Sequence, residues 1–254
     1  MIPARDRFFL DVERSALGRP WRDRLDVEGQ GRAQAMAQQH GLPDILARVL
    51  AGRGVAPAEA RAYLDPTLRA LMPDPATLVD MEAAATRLAD AVERGETVAI
   101  FGDYDVDGAC SAALLAGFLE KCGAPFIIHI PDRITEGYGP NVEAIRALAG
   151  EGATLLVTVD CGVSSHEPMA EARRLGLDAI VLDHHQAPET LPEAIVVNPN
   201  RQDDLSGLGQ LCAAGVVLMA LVATTRTLRR RGWFHPENPA PDLLEGLDLV
   251  ALAT

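Results

Sequence analysis

Three short apolar runs in this chain each end in a cluster of carboxylates or imidazoles, and this repetition constrains the fold more than any other feature. Thr97-Val98-Ala99-Ile100-Phe101 leads into Gly102-Asp103-Tyr104-Asp105-Val106-Asp107-Gly108. Leu155-Leu156-Val157-Thr158-Val159 leads into Asp160-Cys161-Gly162, and Ala179-Ile180-Val181-Leu182 into Asp183-His184-His185. Continuous apolar runs of this length suit strands buried on both faces. Helical stretches separate them, over residues 109–121, from near Asn141, and over 167–175, while residues 126–130 and 194–197 supply two more strands. The alternation predicts an α/β fold: βα units forming a mostly parallel sheet with helices on both faces.

Residues 1–95, rich in Ala, Arg, Glu and Gln, read as a helical N-terminal region preceding an α/β core over residues 96–254. Leu46-Ala47-Arg48-Val49-Leu50 followed by Gly52-Arg53-Gly54 predicts a helix with a glycine stop. Residues 57–64 predict another, with Pro57 in its first turn, and residues 81–94 a third that ends at Gly95. The start, Met1-Ile2-Pro3-Ala4-Arg5-Asp6, turns charged before any apolar run develops, which argues against a secretory signal. The longest apolar run, residues 211–223, is too short for a bilayer and reads as part of a buried helix from 208 to about 230. Cys212-Ala213-Ala214-Gly215 then serves close packing, and the basic end, residues 226–231, sits favourably at a helix C-terminus. The four cysteines are scattered with no CxxC pair, as expected of buried thiols in a reducing cytoplasm.

In parallel sheets, ligands bind beyond the carboxyl ends of the strands, and the three clusters fall at that edge. A single Asp there is explained as a helix cap. Several carboxylates and imidazoles at one edge repel one another and call for a cation. Oxygen and imidazole donors without thiolates favour Mn²⁺ or Mg²⁺ over structural zinc, and five or more candidates suffice for two ions. Such a pair activates water and stabilises the leaving oxygen of a displacement at phosphorus. An EF-hand fails the test. Asp103, Asp105 and Asp107 fit its first positions, but position twelve is Leu114 and a strand precedes the loop. The net charge of −13 argues against a non-specific nucleic-acid binder, a reading softened by bound metal charge or by a basic surface elsewhere.

At these residues the chain resembles the DHH family of phosphoesterases, and within it the branch of single-strand-specific 5′→3′ DNA exonucleases. The resemblance rests on residues 103–108, on Asp160, on Asp183-His184-His185, and on Pro131-Asp132-Arg133-Ile134-Thr135-Glu136-Gly137-Tyr138-Gly139. It extends to Leu64-Asp65-Pro66 and Asp80-Met81, and so to most of the chain from about residue 40. It implies Asp105, Asp107, Asp160 and His184 as ligands of two Mn²⁺ or Mg²⁺ ions, with Asp107 or Asp160 bridging. Asp103 and Asp183 would touch the metals or their ligands, His185 the scissile phosphate, and Arg133 and Tyr138 a substrate phosphate or base. His40, His129, His166 and His235 are expected to be structural. The resemblance implies a single-stranded DNA substrate in repair and recombination, helped by a helicase or a single-strand-binding protein, and no membrane. It also implies a further ligand Asp beyond Thr254, a second domain and often an oligonucleotide-binding fold, so the chain is expected to be cut short. The alternatives are a DHH phosphodiesterase of short oligonucleotides or cyclic dinucleotides, a DHH pyrophosphatase, or a catalytically silent scaffold.

Overall fold

The computed structural model describes residues 8–254, so the charged start read above lies outside the described residues. Internal contacts divide the described chain into two compact units, one up to Pro73 and one over Asp74–Thr254.

The first unit is helical. In α1 (Val27–His40) the carboxylate of Asp26 accepts the Gly29 N–H at 2.7 Å, and Gly41, at φ 65°, closes the other end. This helix packs against α2 (Asp44–Gly52) on Ala33, Met36, Ala47 and Leu50. The helix expected over 57–64 is broken into a 3₁₀ turn, Pro57–Glu59, and α3 (Ala60–Leu64). The Glu59 N–H donates to the Ala56 carbonyl at 3.0 Å, an i to i+3 bond, and the Glu59 carboxylate accepts the Ala56 N–H at 3.2 Å, which together close the tighter turn. A short α4 (Leu68–Leu71) follows.

After a 3₁₀ turn, Pro75–Thr77, the second unit continues with α5 (Met81–Arg94), which ends at Gly95 as expected. Then come β1 (Val98–Gly102), α6 (Val106–Lys121), β2 (Phe126–His129), α7 (Val142–Gly150), β3 (Leu155–Val159), α8 (His166–Arg174), β4 (Asp178–Leu182) and β5 (Ile195–Val197). The five strands form one parallel sheet in the order β2-β1-β3-β4-β5. Residues alternate between its faces. Ala99, Phe101, Leu156 and Val181 pack with Ile145, Leu148, Met169 and Ala172 of α7 and α8. The other face carries α6 and α9 (Ala213–Arg230), with α5 packed along α9. Glu171 on α8 binds Arg146 of α7 and Arg174 of its own helix, each at 2.7 Å, and these cations hold its pKa down at about 2.

Two boundaries differ from the expectation in ways that matter for the site. Helix α6 starts at Val106 rather than 109, because Asp105 caps it by accepting the Gly108 N–H at 2.9 Å. Helix α9 starts at Ala213 rather than 208. Asn200 Nδ2 donates to the Gly209 carbonyl at 3.3 Å, holding residues 208–211 out of the helix, and the Cys212 sulfur takes the capping Gly215 N–H at 3.4 Å. A 3₁₀ turn, Leu243–Gly246, leads into α10 (Leu247–Ala253). No helix among the described residues is long and apolar enough to cross a membrane.

Candidate metal centre

The chain doubles back between β1 and β3: β1 is followed by β2 on one side, while β3, β4 and β5 lie on the other. Crevices at such switch points are where open α/β sheets receive ligands. Asp103 and Asp105 follow β1, and Asp160 follows β3, so three carboxylates flank this crevice.

Asp160 is the centre of the arrangement. Its backbone is left-handed, at φ 61°, a conformation that disfavours a side-chain-bearing residue and is tolerated where a site demands it. Its side chain is buried, and Oδ1 has no hydrogen-bond partner. His184 Nε2 lies 3.2 Å from that oxygen, within ion-pair reach but not aligned as a hydrogen bond. Burial, with Asp107 and Asp105 close by, pushes the Asp160 pKa up to about 6. Donor atoms of Asp103, Asp105 and Asp160 lie within 4.8 Å of one another, and so do those of Asp160, His184 and His185. Asp160 belongs to both groups.

Around it, each side chain is held by identifiable contacts. Buried Asp103 accepts the Tyr104 N–H at 2.8 Å, yet burial leaves its pKa raised. For Asp105 burial also pushes upward, but the Gly108 N–H, Asp160 and the Asp107 N–H outweigh it, and the pKa is lowered. Gly108 cannot be replaced without disruption, since a Cβ there would sit 2.4 Å from the Asp103 carbonyl oxygen. Asp107 belongs to neither group. Its carboxylate accepts the N–H groups of Ala213 and Ala214 at 2.7 and 2.8 Å, at the positive start of α9. The stretch read from sequence as mere packing therefore anchors an acidic residue, while Asp107 Oδ2 remains 3.5 Å from His184 Nε2.

The two histidines are oriented by acceptors. His184 Nδ1 lies 3.0 Å from the Leu211 carbonyl oxygen, which can only accept, so Nδ1 carries the proton. Nε2 is thereby turned toward Asp160 and Asp107, and contact with Asp160 raises the His184 pKa. His185 Nδ1 lies 2.8 Å from Asp183, which raises the His185 pKa to about 9. Asp183 is buried, and its carboxylate also accepts the N–H groups of Val163, His184 and His185. Burial pushes its pKa up, but His185 and those N–H groups outweigh this and bring it below the ordinary value. Asp183 thus serves to orient the histidines and stands outside the two donor groups.

Tyr138 lies beside this cluster, its hydroxyl donating to the Asp160 carbonyl at 3.3 Å and its ring edge-on to His185 at 5.9 Å. Burial raises its pKa. Arg133 is exposed, its guanidinium 5.1 Å from the centre of the Tyr104 ring. Of the residues expected to be structural, His129 pairs with Glu136 at 2.9 Å and stacks on Phe101. Asp248 is exposed on α10 and belongs to neither donor group.

Asn198 and Asn200 did not emerge from the sequence reading, although Asn198-Pro199-Asn200 follows β5 at the same sheet edge. Buried Asn198 donates to the His185 carbonyl at 2.9 Å and accepts the Asn200 N–H at 2.7 Å. Asn200 donates to the His184 carbonyl at 2.6 Å. Together they clamp the backbone that carries both imidazoles. Replacing Asn198 by alanine is expected to cost about 1–3 kcal/mol of stability, because buried polar groups lose their partners. It should also weaken metal binding roughly 10- to 100-fold, as loss of a ligand-orienting contact does. Thermal melting and Mn²⁺ titration check this, and an unchanged Mn²⁺ affinity would assign Asn198 to the fold alone.

The donor set fits divalent cations. It offers carboxylate oxygens and imidazole nitrogens without thiolate, a buried oxygen lacking a partner, and one carboxylate common to both groups.

A parallel sheet that gathers carboxylates and paired histidines around a switch-point crevice defines an α/β protein with a divalent-cation-type centre. Residues 97–254 match the DHH family, N-terminal domain, and the chain belongs to the DHH family. It is similar to the single-stranded-DNA-specific exonuclease RecJ of Escherichia coli, with 38% identity over 216 residues, which cover 84% of this chain and 37% of that protein. Among solved structures it is similar to exonuclease RecJ bound to manganese (TM-score 0.59, 35% identity, 68% of this chain and 42% of that one). It is also similar to RecJ in complex with Mn²⁺ from Thermus thermophilus (TM-score 0.67, 30% identity, 87% of this chain and 29% of that one). The chain thus spans less than half the length of these relatives.

Proposed function

We propose that this chain carries the metal centre of a 5′→3′ exonuclease that hydrolyses phosphodiester bonds of single-stranded DNA, with residues 96–254 as its catalytic core and residues 1–95 as a helical region before it. The observation that carries the reading is Asp160, a buried and strained carboxylate with an orphaned oxygen, common to two donor groups. The similarity to RecJ exonucleases supports the choice of substrate, and the manganese- and magnesium-bound RecJ structures support the choice of metal.

Two ions would be held by Asp103, Asp105, Asp160 and His184, the carboxylate of Asp160 being common to both donor groups. Asp107, fixed by α9, lies next to His184. When bound, such a pair supplies an activated water and neutralises charge on the phosphate. His185, kept protonated at neutral pH by Asp183, faces the phosphate as a hydrogen-bond donor. Arg133 and Tyr138 hold a neighbouring phosphate or base. A helicase or a single-strand-binding protein would present the strand.

The test is nucleotide release from 5′-labelled single-stranded DNA by the chain with Mn²⁺. Release is expected with metal, should stop on chelation, and should return on adding Mn²⁺. Cleavage confined to cyclic dinucleotides or short oligonucleotides, or none with Mn²⁺ bound, would sink the exonuclease reading.

A further inference from the structure

The strong negative charge of the chain is unevenly spread. Residues 1–73 hold 11 arginines, no lysine and 9 acidic residues, so the whole excess behind the net −13 comes from the remainder. Four of these arginines, Arg22, Arg24, Arg48 and Arg53, line one open groove of about 440 Å³ in the first unit, together with Phe9. Asp23 is the only acidic residue in that lining, and it is already engaged. One of its oxygens is 3.1 Å from Arg48 and the other accepts the Leu25 N–H. Arg53 donates to the Tyr63 hydroxyl at 3.3 Å, which leaves its charge uncompensated. Arg24 is exposed and makes no ion pair with the described residues.

Phe9 lines the groove, and Trp21, next to Arg22 in the chain, is a second half-exposed aromatic residue. Phe9 is 43% exposed and Trp21 48%. Their backbones are tied, Phe9 N–H to the Trp21 carbonyl at 2.9 Å and Trp21 N–H to the Val12 carbonyl at 3.0 Å. Guanidinium forks match phosphate oxygens better than lysine ammonium groups do, and every cation here is an arginine. Exposed rings next to cations are the platform on which unstacked bases lie. An acidic peptide would use the arginines but leave the rings in water.

We propose that this groove binds single-stranded nucleic acid, with phosphates on Arg24 and Arg53 and a base stacked on Phe9 or Trp21. It is a contact for the strand separate in sequence from the metal centre. The proposal rests on the exonuclease reading for the identity of the strand, though not for the binding itself.

The experiment measures binding of fluorescent oligothymidylate to the full chain by anisotropy, with chelator present so that no hydrolysis occurs, over a range of salt. Arg24→Glu and Arg53→Glu are expected to weaken binding about tenfold at low salt. Each should also make the salt dependence shallower, by about 0.7 in the log–log slope for each phosphate no longer neutralised. Arg24→Ala should act in the same direction more mildly, which guards against misfolding of the charge-reversed form. Phe9→Ala should weaken binding about fivefold or more through lost stacking. In parallel, Mn²⁺-dependent hydrolysis of bis(p-nitrophenyl) phosphate, too small to span the groove, should be unchanged in Arg24→Glu. Oligothymidylate binding that is absent in the wild type, or unaltered by both reversals, overturns the groove. So does tighter binding of a polyglutamate peptide of equal charge, which would point to a protein partner. If the small diester is not hydrolysed while the binding effects hold, the groove is supported and the metal-centre reading fails separately.

Discussion

Asp160→Asn is expected to cut metal-dependent hydrolysis severely and, in the metal-free protein, to raise the melting temperature. The two effects share one cause. Without a cation, Asp160 sits buried with Asp103 and Asp105 donor atoms within 4.8 Å and Asp107 close by, and like charges so placed destabilise the fold. The amide removes one of those charges at nearly constant shape. A gain of about 1–2 kcal/mol, a few degrees in melting temperature for a chain of this size, is the scale to expect. With Mn²⁺ present the order reverses. The wild type gains stability by binding the ion, whereas the variant, lacking the carboxylate common to both groups, gains little. Hydrolysis should fall roughly a thousandfold, since several kcal/mol of charge stabilisation disappear. Melting curves with chelator and with Mn²⁺ check the crossover. A variant less stable than the wild type under both conditions would mean that Asp160 is a structural residue rather than a cation holder.

The parts of the fold legible in the sequence are those decided locally. The run Leu155–Val159 forms β3 without adjustment, and 81–94 forms α5 with its glycine stop. Four apolar strands separated by helices, with a fifth after them, leave little choice but a parallel sheet. The same locality made the clusters at the strand ends visible, because position along the chain fixes which edge they occupy. What was not legible depends on residues distant in sequence. Leu208-Gly209-Gln210-Leu211 continues the apolar pattern of α9, yet the Asn200 side chain takes the Gly209 carbonyl and the helix waits for Cys212 to cap it. Asp107 could be placed at the correct edge, but the N–H groups that hold it belong to residues more than a hundred positions away. Asn198 and Asn200 act through backbone carbonyls of the histidines, a contact with no pattern of its own in the sequence. The net −13 weighed against nucleic acid only while charge was treated as a single sum, since the arginines of the first unit were hidden in it.

Asp183→Ala should be the most destabilising change at the site. Its carboxylate accepts the N–H groups of Val163, His184 and His185 as well as His185 Nδ1, and alanine leaves all four donors without it at a buried position. A loss of about 3–5 kcal/mol follows from removing a buried anionic acceptor, enough to lower the melting temperature by roughly ten degrees. Asp183→Asn is the more informative variant. It can keep the oxygen that meets His184 and His185 and give up mainly the Val163 contact, so it should fold. What it cannot keep is the charge that raises the His185 pKa to about 9. A group raised in the folded state stabilises fully below its unfolded value near 6.5 and loses that contribution as pH rises through about 9. The metal-free wild type should therefore lose stability across that interval, and Asp183→Asn should lose less. Asp183 itself, held below its ordinary 3.8, stabilises above that value and fails as pH falls through its folded pKa, an acid limb the asparagine also removes. Melting temperatures with chelator across both intervals decide the matter. Parallel pH profiles for wild type and Asp183→Asn would show that the carboxylate does not govern His185, and the proposed contact of a protonated His185 with the phosphate would lose its support.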